Sequence, residues 1–411
     1  MQIAQKEARQ KRETRNQKPE TGNQNVESMQ EKSPIYKSNI STAAAGQAHQ
    51  VGYHPRHGLS IPAITVLDEN DRVIEEDQRR LFRYIIQEGK GADIVFGCGT
   101  TGEWNRISNT ERQRLISIEI DEVARINRDL SNAHSVEAWV GVTGSTRLET
   151  LDNLKCALAA GADAAVIAPL SIVDLTDVIP FFHREVSDLF DHQGRWIPIF
   201  LYDNADIAVN PDIPHIRTRD VKRLSRLQFI SGLKVSASRR VLGNYTKGAG
   251  HFKDKGEFGI YIGNAMLMFQ VFGMDVGLIG RIREYWNRYL LHNELPIGVV
   301  SGPANALPRE WQRAWRACYA ADEHLMSIYK PAFERFEDAC RSFQAGRPVE
   351  KIIACVKHAL MLDGVITSDR VATGTASMNA DERREFSVNY QTLKKDLKSS
   401  TDSVWISSIR V

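Results

Sequence analysis

Eight short apolar runs, separated by amphipathic stretches, organise this chain from about Leu59 onward. The runs are Ile61–Leu67, Ile94–Cys98, Val136–Val142, Ala164–Ala168, Pro198–Tyr202, Phe229–Val235, Phe258–Ile262 and Gly298–Ser301. They lack clean apolar–polar alternation, so each reads as a strand covered on both faces, as in a parallel sheet. Most intervals carry helical periodicity, for example Glu75–Glu88, Thr110–Ile126, Arg147–Ala160 and Asp174–Phe190. Gly89 and Gly161 stand where two of these helices should stop. Eight strand–helix units fit the about 250 residues of a (β/α)8 barrel. The predicted fold class is therefore α/β, a (β/α)8 TIM barrel with a C-terminal helical appendage.

The barrel is expected over residues 58–307, helices over 308–386 and a polar tail over 387–411. Residues 1–57 form an N-terminal extension. Its first 50 residues are rich in Gln, Lys, Glu, Asn and Ser and poor in large apolar side chains, so disorder is expected there. A formal net charge of +2 gives no argument for nucleic acid or an anionic membrane as partner. No apolar run is long enough to span a bilayer. The five cysteines are scattered and odd in number, which favours a reducing, cytoplasmic setting.

Lys234 stands near the end of the run Phe229–Val235. An ammonium on a buried strand is costly unless it is paired or neutral. Desolvation lowers a lysine's pKa, and the neutral amine is a nucleophile. A buried ion pair or a side chain that snorkels to the surface would also account for it. Tyr202 ends the preceding strand. By itself it reads as a packed ring with a solvated hydroxyl; beside Lys234 it becomes a candidate acid–base group.

Gly97-Cys98-Gly99-Thr100-Thr101-Gly102 matches the G-x-G-x-x-G fingerprint of dinucleotide binding. The helix that follows should begin only near Ser108 or Asn109, too late to meet a pyrophosphate, and the Glu103 carboxylate would oppose one. The segment reads instead as a loop at the barrel mouth. There the hydroxyls of Thr100 and Thr101 would hold a small carboxylate.

Gly99-Thr100-Thr101-Gly102-Glu103, Leu201-Tyr202-Asp203 and Gly232-Leu233-Lys234 occur in this order on predicted strands two, five and six. With Gly141–Thr146, Ser301–Asn305 and Lys357–Leu360 they resemble the dihydrodipicolinate synthase / N-acetylneuraminate lyase family of pyruvate-dependent Schiff-base lyases. The resemblance runs from about Gly58 to Phe386. It implies that Lys234 forms an imine with a 2-oxo acid, so that no cofactor and no metal is needed. Tyr202 would shuttle protons, and Thr100 and Thr101 would bind the carboxylate. Gly99, Ser236 and Gly263 complete the implied substrate-binding set. A homotetramer or homodimer is implied as well.

The chain departs from dihydrodipicolinate synthases at two places. Their Pro-Gly-Arg segment after the tyrosine binds a second carboxylate, whereas Ile207 stands at the arginine position here. Their tyrosine pair after strand four is replaced by Leu170-Ser171 following Pro169. Asp203, Asn204 and Asp206 are open to two readings, a set of hydroxyl ligands for a sugar acid or a solvated turn. The expected activity is aldol cleavage or condensation of pyruvate with a neutral aldehyde. A 2-oxo-3-deoxy sugar acid dehydratase, dihydrodipicolinate synthase proper and a non-catalytic binding protein are the competing readings. An extra segment near Met274–Leu295, with Ile282, Tyr285, Trp286 and Tyr289 at helical spacing, reads as a docked surface helix.

Overall fold

The apolar runs close into one parallel barrel. The computed structural model describes residues 52–130, 134–252, 258–273, 282, 295–344 and 347–408. Its strands are β1 (Gly58–Pro62), β2 (Ile94–Gly97), β3 (Glu137–Gly141), β4 (Ala164–Ile167), β5 (Ile199–Asn204), β6 (Ile230–Ser236), β7 (Gly259–Ile262) and β8 (Gly298–Val300). They follow one another around the barrel, and β8 pairs with β1 to complete it. Helices α1 (Glu75–Ile86), α2 (Asn109–Asp129) and α3 (Arg147–Ala160) cover the first strands, and Gly161 ends α3 in the left-handed conformation. The next cover begins at Val178 rather than at Asp174. It passes through a π-helical turn at Phe181–Val186 before Ser187–Gln193, and Ser187 Oγ donates to Phe182 O.

The first apolar run is the one that misplaces its strand. The sheet takes Gly58–Pro62, while Ala63–Leu67 leaves it as a buried loop. Side chains replace the ladder there: Val66 N donates to Gln78 Oε1 at 2.9 Å and Ile64 N to Asn305 Oδ1 at 3.2 Å.

Large and small residues alternate across the barrel interior. Trp139 stacks on Phe200 at 3.9 Å between centroids, and Tyr261 meets both rings edge-on. Gly232 and Gly298 make that possible. A Cβ on either would come within 2.5 Å of the Phe200 or Tyr261 ring. Each buried aromatic contributes about 1.5–3 kcal/mol in transfer free energy. At the floor, Glu137 Oε2 accepts from Tyr53 OH and Trp139 Nε1 at 2.9 and 2.8 Å. Burial pushes the carboxyls of Glu137 and neighbouring Asp163 up, and the charge of Asp163 adds to the effect at Glu137.

The C-terminal layer corrects two expectations. After α4 (Pro308–Tyr319) and α5 (Glu323–Ala339) the helices expected over 308–386 are interrupted. An antiparallel hairpin, β9 (Arg341–Gln344) and β10 (Arg347–Glu350), precedes α6 (Ile352–Leu362). The polar tail expected over 387–411 is, through residue 408, part of helix α7 (Ala380–Ser408). Phe386, Tyr390, Leu393 and Leu397 lie buried along one side of it. Phe386 and Tyr390 stack on each other, and Phe336 of α5 meets both edge-on. The aromatic residues of the segment near Met274–Leu295 lie outside the described residues, as does most of the N-terminal extension. Among the described residues no helix is long and apolar enough to cross a membrane.

Candidate active site

Parallel pairing in register places Tyr202 of β5 directly beside Lys234 of β6. Both side chains point into the barrel near its C-terminal mouth, where residues from several strands can meet. Lys234 Nζ lies 3.7 Å from the centroid of the Tyr202 ring and 4.9 Å from that of Phe96. Among the described residues neither a carboxylate partner nor a route to the surface explains the lysine, which is 5% exposed and has the phenol as its polar neighbour. Burial lowers its pKa, against an opposing effect from Tyr202. Burial alone would raise the phenol, but the Lys234 charge and hydrogen bonds from Ser236 and Thr100 outweigh it and leave Tyr202 below its ordinary value. The pair is thus an amine whose charged form burial disfavours beside an acidified phenol, the two tendencies that nucleophilic and acid–base chemistry use.

The β2 loop closes over this pair. Thr100 Oγ1 lies 3.3 Å from Tyr202 OH. Thr101 is half-buried next to the β8 loop, where a Cβ on Gly302 would sit 3.2 Å from its hydroxyl. Gly99 accepts from the N–H groups of Gly102 and Trp104, and a Cβ on it would press to 2.9 Å from the Phe96 ring. Ser236 Oγ approaches Tyr202 OH at 3.2 Å from the other side. Gly263, at the end of β7, lies so close to Ser236 that a Cβ there would come within 2.2 Å of its Oγ. The expected residues therefore assemble at one end of the barrel, from the loops and ends of β2, β5, β6 and β7.

The loop that resembled a dinucleotide fingerprint is built differently. Its helix starts at Asn109 behind a Ser108 cap that accepts from Glu111 N. Glu103 adopts a left-handed φ of 57° and turns its carboxylate away from the mouth. It takes Lys357 Nζ at 2.5 Å and Ala372 N at 2.8 Å.

The segment after Tyr202 is not a solvated turn, apart from Asp206, which is exposed. Asp203 is fully buried and accepts from Ile216 N and Tyr245 OH at 2.9 and 3.1 Å, with His215 Nδ1 at 3.0 Å. Both of its oxygens are engaged by these partners and it has no exposed surface. Burial raises its pKa against these contacts. Asn204 is 8% exposed and donates from Nδ2 to Tyr202 OH at 3.0 Å. Sequence spacing gave no sign of this contact, since residues two apart on a strand share a face but need not touch. Ile207 packs beside the barrel-interior aromatics and brings no cation to the mouth. Arg239 and Arg240 are exposed at the start of the helix after β6. Among the described residues no group of three or more His, Cys, Asp or Glu is placed to hold a metal.

Comparison with known proteins gives a consistent picture. Residues 56–168 match the model of the dihydrodipicolinate synthetase family, a span that ends before Tyr202 and Lys234. The 4-hydroxy-tetrahydrodipicolinate synthase of Methanothermobacter thermautotrophicus is 28% identical over 183 residues, covering 43% of this chain and 56% of that protein. The enzyme of the same name from Hyphomonas neptunium is 30% identical over 184 residues, covering 43% and 54%. The chain thus spans about half the length of the curated relatives it matches. Among solved structures, dihydrodipicolinate synthase from Bacteroides thetaiotaomicron superposes with a TM-score of 0.65 at 21% identity, over 83% of this chain and all of that one. A prophage protein of E. coli from the dihydrodipicolinic acid synthase family, solved in complex with pyruvate, gives 0.61 at 19% identity, over 82% and 98%. At these identities the structural likeness carries the fold.

Proposed function

We propose, starting from this chain's place as a divergent member of the dihydrodipicolinate synthase family, that it is a Schiff-base lyase acting on a 2-oxo acid. The observation that carries the reading is the buried Lys234 amine 3.7 Å above the Tyr202 ring, with the hydroxyls of Thr100 and Ser236 on the phenol. Lys234 attacks the C2 carbonyl, and water leaves to give an imine. The iminium accepts the electron pair released when the bond between C3 and C4 breaks, or supplies it as the enamine in the reverse direction. Tyr202 gives a proton to the C2 oxygen that leaves as water; as the phenolate it then takes the proton of the C4 hydroxyl as the C3–C4 bond breaks, and returns it in condensation. The β2 loop, through Thr100 and Thr101, binds the carboxylate of the 2-oxo acid. Gly99 and Gly263 keep the neighbouring backbones close enough to shape that pocket.

Pyruvate is the preferred 2-oxo acid in this reading, and a neutral aldehyde the preferred partner. Ile207 supports the second choice, because an aliphatic side chain cannot compensate a desolvated carboxylate. Self-association as a homodimer or homotetramer is supported by Leu148, Val173 and Val209. Leu148 is exposed in the first turn of α3, and Val173 and Val209 are exposed on adjoining loops, where Val173 N bonds Ser145 O and Val209 N bonds Leu170 O. A reducing compartment such as the cytoplasm fits the five free cysteines.

The test is chemical trapping. Incubation with pyruvate and borohydride should add one reduced pyruvyl group, mapped to the Lys234 peptide. Labelling at another residue, or undiminished labelling of Lys234→Ala, would overturn the assignment.

A further inference from the structure

We propose that Asn204 is a positioning residue for Tyr202, fixing the phenol oxygen as a hydrogen-bond acceptor so that the phenol proton travels away from Asn204, toward Thr100, Ser236 or Lys234. The direction of the contact is set by the backbone. Asn204 Oδ1 accepts from Asp206 N at 3.1 Å, and a peptide N–H can only donate. The other end of the amide, Nδ2, is therefore the end that faces Tyr202 OH at 3.0 Å. An amide nitrogen can only donate as well, so one lone pair of the phenol is committed to Asn204 in every protonation state.

Besides the Lys234 amine, the remaining partners are Thr100 Oγ1 at 3.3 Å and Ser236 Oγ at 3.2 Å, hydroxyls that can donate or accept. The neutral phenol gives its proton to one of them. The phenolate accepts from both hydroxyls and from Asn204, and its bond to Asn204 becomes charge-assisted and stronger. Asn204 thus favours the ionised form, in the same sense as the Lys234 cation beside the ring. Among the described residues the charged groups around Tyr202 are few. Lys234 faces it from β6, while the β2 loop and the end of β6 present neutral hydroxyls. The Asp203 carboxylate is turned the other way, onto His215, Ile216 and Tyr245. Asp206 is exposed.

The catalytic value of this arrangement rests on the Schiff-base reading, but the hydrogen bond can be tested without it. Asn204→Asp keeps the shape and the acceptor for Asp206 N–H while removing the donor. Asn204→Leu removes both. The tyrosinate absorbance of Tyr202 is read at alkaline pH as the difference between each protein and its Tyr202→Phe counterpart. The expected result is a titration midpoint that rises in Asn204→Leu and rises further in Asn204→Asp. In parallel, the turnover of pyruvate release falls about 10–100-fold, the scale of one hydrogen bond to a charged oxygen. In the Tyr202→Phe background the same substitutions change turnover little. An unmoved midpoint in folded Asn204→Asp overturns the proposal whether or not turnover is detected. A moved midpoint in a protein that traps no pyruvate keeps the hydrogen bond and refutes the Schiff-base reading instead.

Discussion

Glu103 and Lys357, 254 residues apart in sequence, form a 2.5 Å ion pair in which both side chains are wholly buried. The pair fastens the β2 loop to α6. Lys357 Nζ also donates to Arg370 O at 2.7 Å, and Glu103 Oε1 accepts from Ala372 N, so neither charge is left with a single partner. Removing one member strands the other in a low-dielectric interior. Glu103→Gln or Lys357→Met should each cost about 3–5 kcal/mol of stability, read from urea unfolding. The double substitution should cost less than the sum. A loss below about 1 kcal/mol for either single change would show that the pair is dispensable.

Tyr202→Phe keeps the ring beside Lys234 and removes only the hydroxyl. If the phenol shuttles protons, turnover falls about 10²–10⁴-fold, while trapping of the pyruvyl imine survives in part. Turnover close to that of the wild type in Tyr202→Phe would assign the side chain to packing alone.

Ile207 sets the third expectation. Condensation of pyruvate with aspartate semialdehyde should be poor, and neutral polyhydroxylated or aromatic aldehydes should be better partners. Ile207→Arg should shift the preference toward the anionic aldehyde, because a guanidinium can pair with its carboxylate. Comparing kcat/KM for the two aldehyde classes decides the matter. Efficient dihydrodipicolinate formation by the wild type would refute the reading, and would direct attention to Arg239 or Arg240.

The barrel floor predicts a pH dependence of stability. Burial raises the carboxyls of Glu137 and Asp163 in the folded protein, so the fold holds protons that the unfolded chain has released. Their contribution is fully present below the ordinary carboxylate range, about pH 4, and is lost as the pH rises through the raised folded values. Glu137→Gln, which stays neutral and can still accept from Trp139, should flatten this part of the Tm profile. An unchanged slope between about pH 4 and 7 would count against the assignment.

Hydropathy made most of the barrel legible, because buried parallel strands are nearly continuous apolar runs and seven of the eight fell where expected. It misjudged β1, since Gln78 and Asn305 satisfy the backbone of Ala63–Leu67 from distant elements and leave no local mark. It misjudged α7 because four buried residues, Phe386, Tyr390, Leu393 and Leu397, are diluted by charged neighbours. At the candidate site, motif order brought Lys234, Tyr202 and Thr100 together. The orientation of Asn204 and the inward turn of Glu103 depend on tertiary contacts, to Tyr202 and Lys357, which spacing along the chain does not encode.

Trp139, Phe200 and Tyr261 fill the barrel beneath Lys234, with no side chain at Gly232 or Gly298 to hold them apart. Among the described residues the barrel interior beneath Lys234 is therefore filled, and the amine faces the mouth. In a lyase of the proposed kind the fragment bound to the lysine lies deepest, and the aldehyde lies between it and the exit. Departure is then ordered by geometry: the aldehyde leaves first, water follows it in, and only then is the tethered acid released. Product inhibition should carry the same signature, with the 2-oxo acid competing for the empty enzyme and the aldehyde competing only for the loaded one.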